Sequence, residues 1–312
     1  MPADRFKERL KAFAGEGELT AFNLAVVAEA LDIIKELNDQ NVGGETVEKR
    51  LGEYKSWDPE VFRVDKDTEG RYARRLEELG RPIVLLSEEA GRVELNAGAR
   101  GEPMFVVCDP FDGSYLFKRG IADFWYSSLA FYDARGNCLS CAVGDAVARN
   151  IAFANEKGAS VAHLGKRGLE HRFALDAQYR SLMGRKPVAR LEDASIESYA
   201  MKPKKYLLPL MDEFGGLMAP FKFFLPNGGP YGFVDVAEGK IDCYFARQQP
   251  HVDVFSGIFV AQQAGTVVTD FDGNQVRFTD NVKTVHDVVA CTNAALHEKV
   301  LGKIAECKGA TA

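Results

Sequence analysis

The chain has 312 residues, 46% of them hydrophobic and 27% charged, with a formal net charge of −6. That length buries a large core, as one big α/β unit or two packed halves, and the negative balance without any basic run excludes a surface built for a nucleic-acid backbone. A charged start, Met1 to Arg9, and the lack of an apolar run long enough to span a bilayer exclude a secretory signal and a membrane anchor, so the expectation is a soluble, cytoplasmic protein.

From Thr20 to Leu37 the apolar residues Leu24, Val27, Leu31 and Ile34 recur at three- and four-residue steps, which predicts an amphipathic helix lying on a sheet. The stretch from Asn41 to Trp57 is rich in Gly and charge and reads as a mobile loop. Asp67 reads as the N-cap of a helical run through Arg71, Tyr72, Arg75, Leu76 and Leu79 that stops at Gly80. Strands are predicted from Ile83 to Leu86, ending in Ser87-Glu88-Glu89, and from Met104 to Cys108, ending in an acidic turn. A hairpin is predicted from Trp125 to Val143, turning at Ala134 to Asn137.

Downstream, strands and helices alternate. A helix near Tyr231 to Ala237, a strand from Ile241 to Phe245 and a helix from Asp253 to Ala264, closed by Gly265, precede a strand that begins at Val267 and turns at Asp272-Gly273. The division expected is 1–148 and 149–312. The six cysteines lie in strand-like apolar stretches, so they read as reduced core thiols. Cys138-Leu139-Ser140-Cys141 has the spacing of a metal or redox pair but no second pair to complete it.

The chemistry concentrates in Val106-Val107-Cys108-Asp109-Pro110-Phe111-Asp112-Gly113-Ser114. Four apolar residues deliver two carboxylates, three apart, into a turn shaped by Pro and Gly. Like charges that close repel unless a cation neutralises them, and carboxylate oxygens with a hydroxyl beside them suit a hard cation that faces phosphate. Metal-dependent hydrolysis of a phosphate ester follows as the expected chemistry. Backbone N–H groups of Gly113 and Ser114 would cradle the phosphoryl oxygens.

Taken together, Leu86-Ser87-Glu88-Glu89-Ala90-Gly91, the acidic turn, Val252-Asp253-Val254-Phe255-Ser256-Gly257 and Gln263 to Gly273 resemble the signatures of the inositol monophosphatase family. That family lies within the magnesium-dependent, lithium-sensitive phosphatases that include fructose-1,6-bisphosphatases. The resemblance implies a layered αβαβα sandwich of the sugar-phosphatase type, an α/β fold of two sheet-containing halves with the metal site at the seam, and a homodimer. It implies two or three Mg²⁺ ions. Glu88, Asp109 and the main-chain carbonyl of Phe111 would hold one ion, Asp109, Asp112 and Asp253 a second, and Glu88 a looser third. It also matches Asp67 to the family's upstream aspartate, which pairs with the turn hydroxyl, here Ser114, to orient the attacking water.

Two positions depart from the family pattern. Ala246 stands where inositol phosphatases tend to place a Glu that accepts bonds from substrate hydroxyls, and a methyl group accepts none. Its neighbour Arg247 suits a second phosphate, which makes fructose-1,6-bisphosphate the competing substrate. Phe224 to Pro230, with two prolines and two glycines, implies a differently shaped pocket. The reading from another class is a catalytically retired, regulatory relative, motivated by Val252 in place of the family's Trp and by Ala246.

Overall fold

The computed structural model describes residues 3–50, 59–166 and 168–310. Its first part holds α1 (Ala3–Phe13), α2 (Glu18–Asp39), β1 (Thr46–Lys49), β2 (Glu60–Phe62) and α3 (Arg63–Glu78). There follow β3 (Ile83–Ser87), β4 (Gly91–Leu95), β5 (Met104–Asp112), α4 (Ser114–Lys118), β6 (Tyr126–Tyr132), β7 (Cys138–Asp145), β8 (Asn150–Asn155), β9 (Gly158–Leu164), β10 (Leu169–Ala174) and α5 (Ala177–Leu182). The last part holds β11 (Ser195–Glu197), α6 (Leu208–Met218), β12 (Phe223–Leu225), α7 (Pro230–Glu238), β13 (Cys243–Pro250), α8 (His251–Phe255), α9 (Ile258–Gln263), β14 (Val267–Asp270), β15 (Val285–Cys291) and α10 (Ala294–Ala310).

Two large sheets organise these elements. One has eight strands in the order β10-β9-β8-β7-β6-β5-β3-β4, and the other has five in the order β12-β11-β13-β15-β14. Strand alternation sorts their side chains into three cores. Ile83, Leu85, Val106 and Cys108 face α1, α2 and α3, whereas Val84, Leu86 and Val107 face α7, α8 and α9 in the middle of the molecule. On β13, Tyr244 and Ala246 face that middle core, whereas Cys243 and Phe245 face α6 and α10. The layers therefore run helix, sheet, helix, sheet, helix, the αβαβα order expected. No helix among the described residues is long and apolar enough to cross a membrane.

Several expectations need correction. The boundary at 148/149 falls in the turn between β7 and β8, which pair with each other, so the first sheet continues through β10 to Ala174. Ile151 to Val161 repeats the same hairpin pattern and carries no signal of a sheet change. The run from Asp253 to Ala264 is two helices, because Gly257 between them lies against the backbone of Pro230, where a Cβ would stand 2.4 Å from the carbonyl oxygen. The loop expected from Asn41 carries β1, which pairs with β2, and residues 51–57 lie outside the described residues. Cys108, Cys138, Cys141, Cys243 and Cys291 are in no disulfide, and Cys138 and Cys141 both belong to β7.

The predicted amphipathic helix is α2, longer than expected and buried over most of its length. It can lie on β7 because residue 144 is glycine: a Cβ there would meet Val27 at 2.8 Å and Leu31 at 2.9 Å. A larger side chain would wedge the helix off the sheet. Gly144→Val is expected to destabilise the fold by about 2 kcal/mol through overpacking, measured as a lower urea midpoint with an unchanged slope.

Candidate active site

The register of β5 explains how two carboxylates three residues apart reach one face. Asp109 opposes Ser128 on β6 and Asp112 opposes Tyr126, so three steps on β5 match two on β6. In a regular strand residues three apart point to opposite faces, and one inserted residue turns both to the same side. The expected turn is thus a bulge at Pro110-Phe111 inside the strand. Gly113 (φ 106°) then swings the chain into α4, and only glycine fits, since a Cβ would lie 2.2 Å from the Phe124 carbonyl.

Three other elements converge on this bulge. Parallel pairing sets Ser87 opposite Cys108, which brings Glu88 beside Asp109 at the end of the next strand. Asp253 arrives on α8, which follows β13 of the second sheet. Glu88, Asp109 and Asp253 offer carboxylate oxygens that all lie within 4.8 Å of one another. The bond from Ser128 Oγ to Ser256 Oγ, 2.7 Å, ties β6 to the end of α8 beside this cluster.

Asp109 is only 2% exposed. Its Oδ1 accepts from the Phe111 N–H at 3.1 Å, whereas its Oδ2 meets no donor. Burial first, and then the charges of Glu88, Asp112 and Asp253, hold this carboxyl far above the usual carboxylate range. A buried acceptor without a donor, in an all-oxygen carboxylate set, fits a hard divalent cation such as Mg²⁺. Phe111 contributes in two ways: its ring packs in the first core, and its carbonyl oxygen lies 3.4 Å from Ser114 Oγ.

The residue that holds Ser114 is Asp65. Ser114 Oγ donates to Asp65 Oδ1 at 2.6 Å, and the Phe62 N–H donates to Oδ2 at 2.7 Å. Asp65 is nearly sealed from water, and burial pushes its pKa up to about 7 despite those bonds. Asp67 is neither the N-cap, which is Phe62, nor a neighbour of Ser114. It is 43% exposed, with Oδ2 3.4 Å from Arg63 Nε. Residues two apart on a helix point about 200° apart, so Asp65 and Asp67 cannot serve the same site.

Asp65 and Glu69 stand one turn apart on the same face of α3, a spacing visible in the sequence. Glu69 accepts from Ser87 Oγ at 2.6 Å and from the Ala90 N–H at 2.8 Å, which fixes the turn carrying Glu88. Arg50, just after β1, reaches the same turn, with Nη2 3.4 Å from Glu88 Oε1 and a closer bond to Glu89. No motif announces Arg50, since a single charge in a Gly-rich stretch has no pattern to betray it.

The expected substrate contacts at the end of β13 are not brought to the cluster. Ala246 is fully buried in the middle core. Arg247 points to the other side of the second sheet, where its Nε donates to Glu213 Oε2 at 2.9 Å beside Phe214 and Phe271. The bulge between Ala246 and Gln249, with Gln248 at φ 49°, follows directly.

Asp65 also predicts how stability responds to pH. Its folded value, about 7, lies above the ordinary 3.8, so the unfolded chain releases its proton first as pH rises. Metal-free protein is expected to lose stability between about pH 4 and about pH 7, and Asp65→Asn to flatten that fall. Urea midpoints at the two ends of that window, measured in chelator, check this, and an equal fall in the variant would contradict it.

Comparison with known proteins agrees with this geometry. Residues 16–308 match the model of the inositol monophosphatase family. The fructose-1,6-bisphosphatase/inositol-1-monophosphatase of Methanothermobacter thermautotrophicus is 25% identical over 255 residues, which cover 76% of this chain and 81% of that one. Among solved structures, the extragenic suppressor protein SuhB of Bartonella henselae superposes with a TM-score of 0.69 at 17% identity, covering 92% of this chain and 98% of that one. A hypothetical protein of Pyrococcus horikoshii, described as having similarities to inositol-1 monophosphatase, gives 0.61 at 23% identity, covering 88% and 96%. With the layered fold common to these structures and the family match running through all four acidic motifs, the chain belongs to the inositol monophosphatase family and is a phosphatase.

Proposed function

We propose that this phosphatase hydrolyses a small inositol or sugar monophosphate by direct attack of water, with Mg²⁺ held by Glu88, Asp109, Asp112, Asp253 and the Phe111 carbonyl. The observation that carries the reading is the convergence of carboxylate oxygens from Glu88, Asp109 and Asp253, together with a buried Asp109 Oδ2 that no protein donor satisfies. Bound Mg²⁺ neutralises phosphate charge, lowers the pKa of a coordinated water and steadies the leaving oxygen. The chain's own groups supply the orientation. Because the Ser114 hydroxyl gives its proton to Asp65, its lone pairs are left to accept from a water and fix that water's direction of attack. The N–H groups of Gly113 and Ser114 receive the phosphoryl oxygens.

The substrate follows from what the walls offer. Arg247 is paired with Glu213 on the far side of the second sheet, so the cation that would favour a bisphosphate is turned away. Ala246 supplies no acceptor for a ring hydroxyl. Both features support one phosphate on a compact, loosely specified alcohol. Inhibition by Li⁺ and assembly as a homodimer belong to the same reading and rest on the family resemblance alone.

Variants separate the roles. Asp109→Asn is expected to abolish turnover and to remove stabilisation by Mg²⁺ in thermal unfolding. Asp65→Asn and Ser114→Ala are each expected to lower kcat by about 10²-fold or more through loss of water positioning, whereas Asp67→Asn should change it by less than about threefold. A large loss in Asp67→Asn with an active Asp65→Asn would reverse the assignment. Phosphate release from a panel of inositol, ribose and hexose monophosphates and fructose-1,6-bisphosphate checks the substrate class. Preference for the bisphosphate by more than about tenfold in kcat/KM would contradict the monophosphate reading.

A further inference from the structure

The turn Asn227-Gly228-Gly229 ahead of α7 lies against two supports of the acidic cluster at once. Gly229 (φ 70°) has no room for a side chain, since a Cβ there would stand 2.3 Å from Oδ2 of Asp112. The next carbonyl, that of Pro230, fills the space beside Gly257, just past the end of the helix that carries Asp253. On its other side the turn rests on the second sheet: a Cβ on Gly228 would lie 2.9 Å from Tyr199 Cβ and 3.0 Å from the Tyr244 hydroxyl. A shift of this turn would therefore disturb Asp112 and the start of α9 together.

One hydrogen bond holds the turn from beneath. Asn227, itself buried, donates Nδ2 to Glu197 Oε1 at 2.9 Å. Glu197 closes β11, opposite Leu225 on β12 and Tyr244 on β13, and is 0% exposed. Its Oε2 meets no donor. Burial, and then the carboxyl of Asp235 on α7, push Glu197 well above the usual range. A buried carboxyl is costly unless it is hydrogen-bonded, and for Oε1 the Asn227 amide supplies that bond.

We infer that Glu197 and Asn227 are positioning residues for the metal centre, their hydrogen bond seating the Gly228-Gly229 turn against Asp112 and the end of α8. This rests on the metal-dependent reading of the site given above. Neither residue touches the reacting atoms. Their effect passes through the Gly229 backbone to one carboxylate and through Pro230 and Gly257 to the helix bearing another, in the way outer groups orient metal ligands.

Thermal unfolding of the full chain, stripped with chelator and titrated with MgCl₂, tests this in the unmodified protein, Glu197→Ala, Asn227→Ala and Glu197→Gln. The Mg²⁺ concentration for half-maximal stabilisation is expected to rise about tenfold or more in Glu197→Ala and Asn227→Ala. In Glu197→Gln it should rise less than about threefold, because the amide keeps an acceptor oxygen for Asn227 Nδ2. Alanine variants that melt lower without metal but keep the original half-point would show a purely structural role and overturn the inference. Where Glu197→Ala does not fold, Asn227→Ala decides. No stabilisation of the unmodified protein by Mg²⁺ would contradict the reading of the metal centre itself, and the inference with it.

Discussion

Asp109 stands almost wholly out of water while Glu88, Asp112 and Asp253 each raise its pKa further, and carboxylates crowded in this way stay together only when something positive shares their space. Much of the fold serves that constraint. The bulge in β5 turns Asp109 and Asp112 to one side, parallel pairing with β3 delivers Glu88, and the serine bridge from β6 to Ser256 holds the end of the helix bearing Asp253. The chain tolerates the repulsion because Asp109, Asp112 and Asp253 are carried by β5 and α8, and the turn that carries Glu88 is pinned by Glu69. A cation that bound this cluster would offset its repulsion, which would link metal binding to folding stability.

Much of this was legible in the sequence, because the residues concerned sit where local pattern and chemistry coincide. The apolar strand before Asp109, the Pro and Gly around Asp112 and the acid after Leu85-Leu86 each mark an element end, and the αβαβα order follows from their family likeness. The errors share a physical origin. Placing the start of α3 one turn late made Asp67 the candidate, and a helix presents residues 65 and 67 to different surroundings. The start was hidden because the N-cap is Phe62, a residue with no capping oxygen. Similarly, the direction of Arg247 follows from its place on β13, where Cys243 and Phe245 already face the outer core. The division at 148 runs between paired strands, because hairpins extend a sheet without any change of composition.

The second sheet bears on the site through contacts that carry no motif. Glu197 and Asn227 lie thirty positions apart in sequence and meet only because β11 runs parallel to β12 and β13. Gly228 and Gly229, ahead of α7, leave no room for a side chain among Tyr199, Tyr244 and Asp112.

The central claim is that acids distant along the chain form one cage for divalent ions. Crystals soaked in Mn²⁺ and measured at the manganese absorption edge test it most directly. Anomalous peaks are expected among Glu88, Asp109, Asp112 and Asp253, with at least one bound by Asp109 Oδ2. Ordered density for those side chains with no anomalous peak among them, at saturating Mn²⁺, would contradict it.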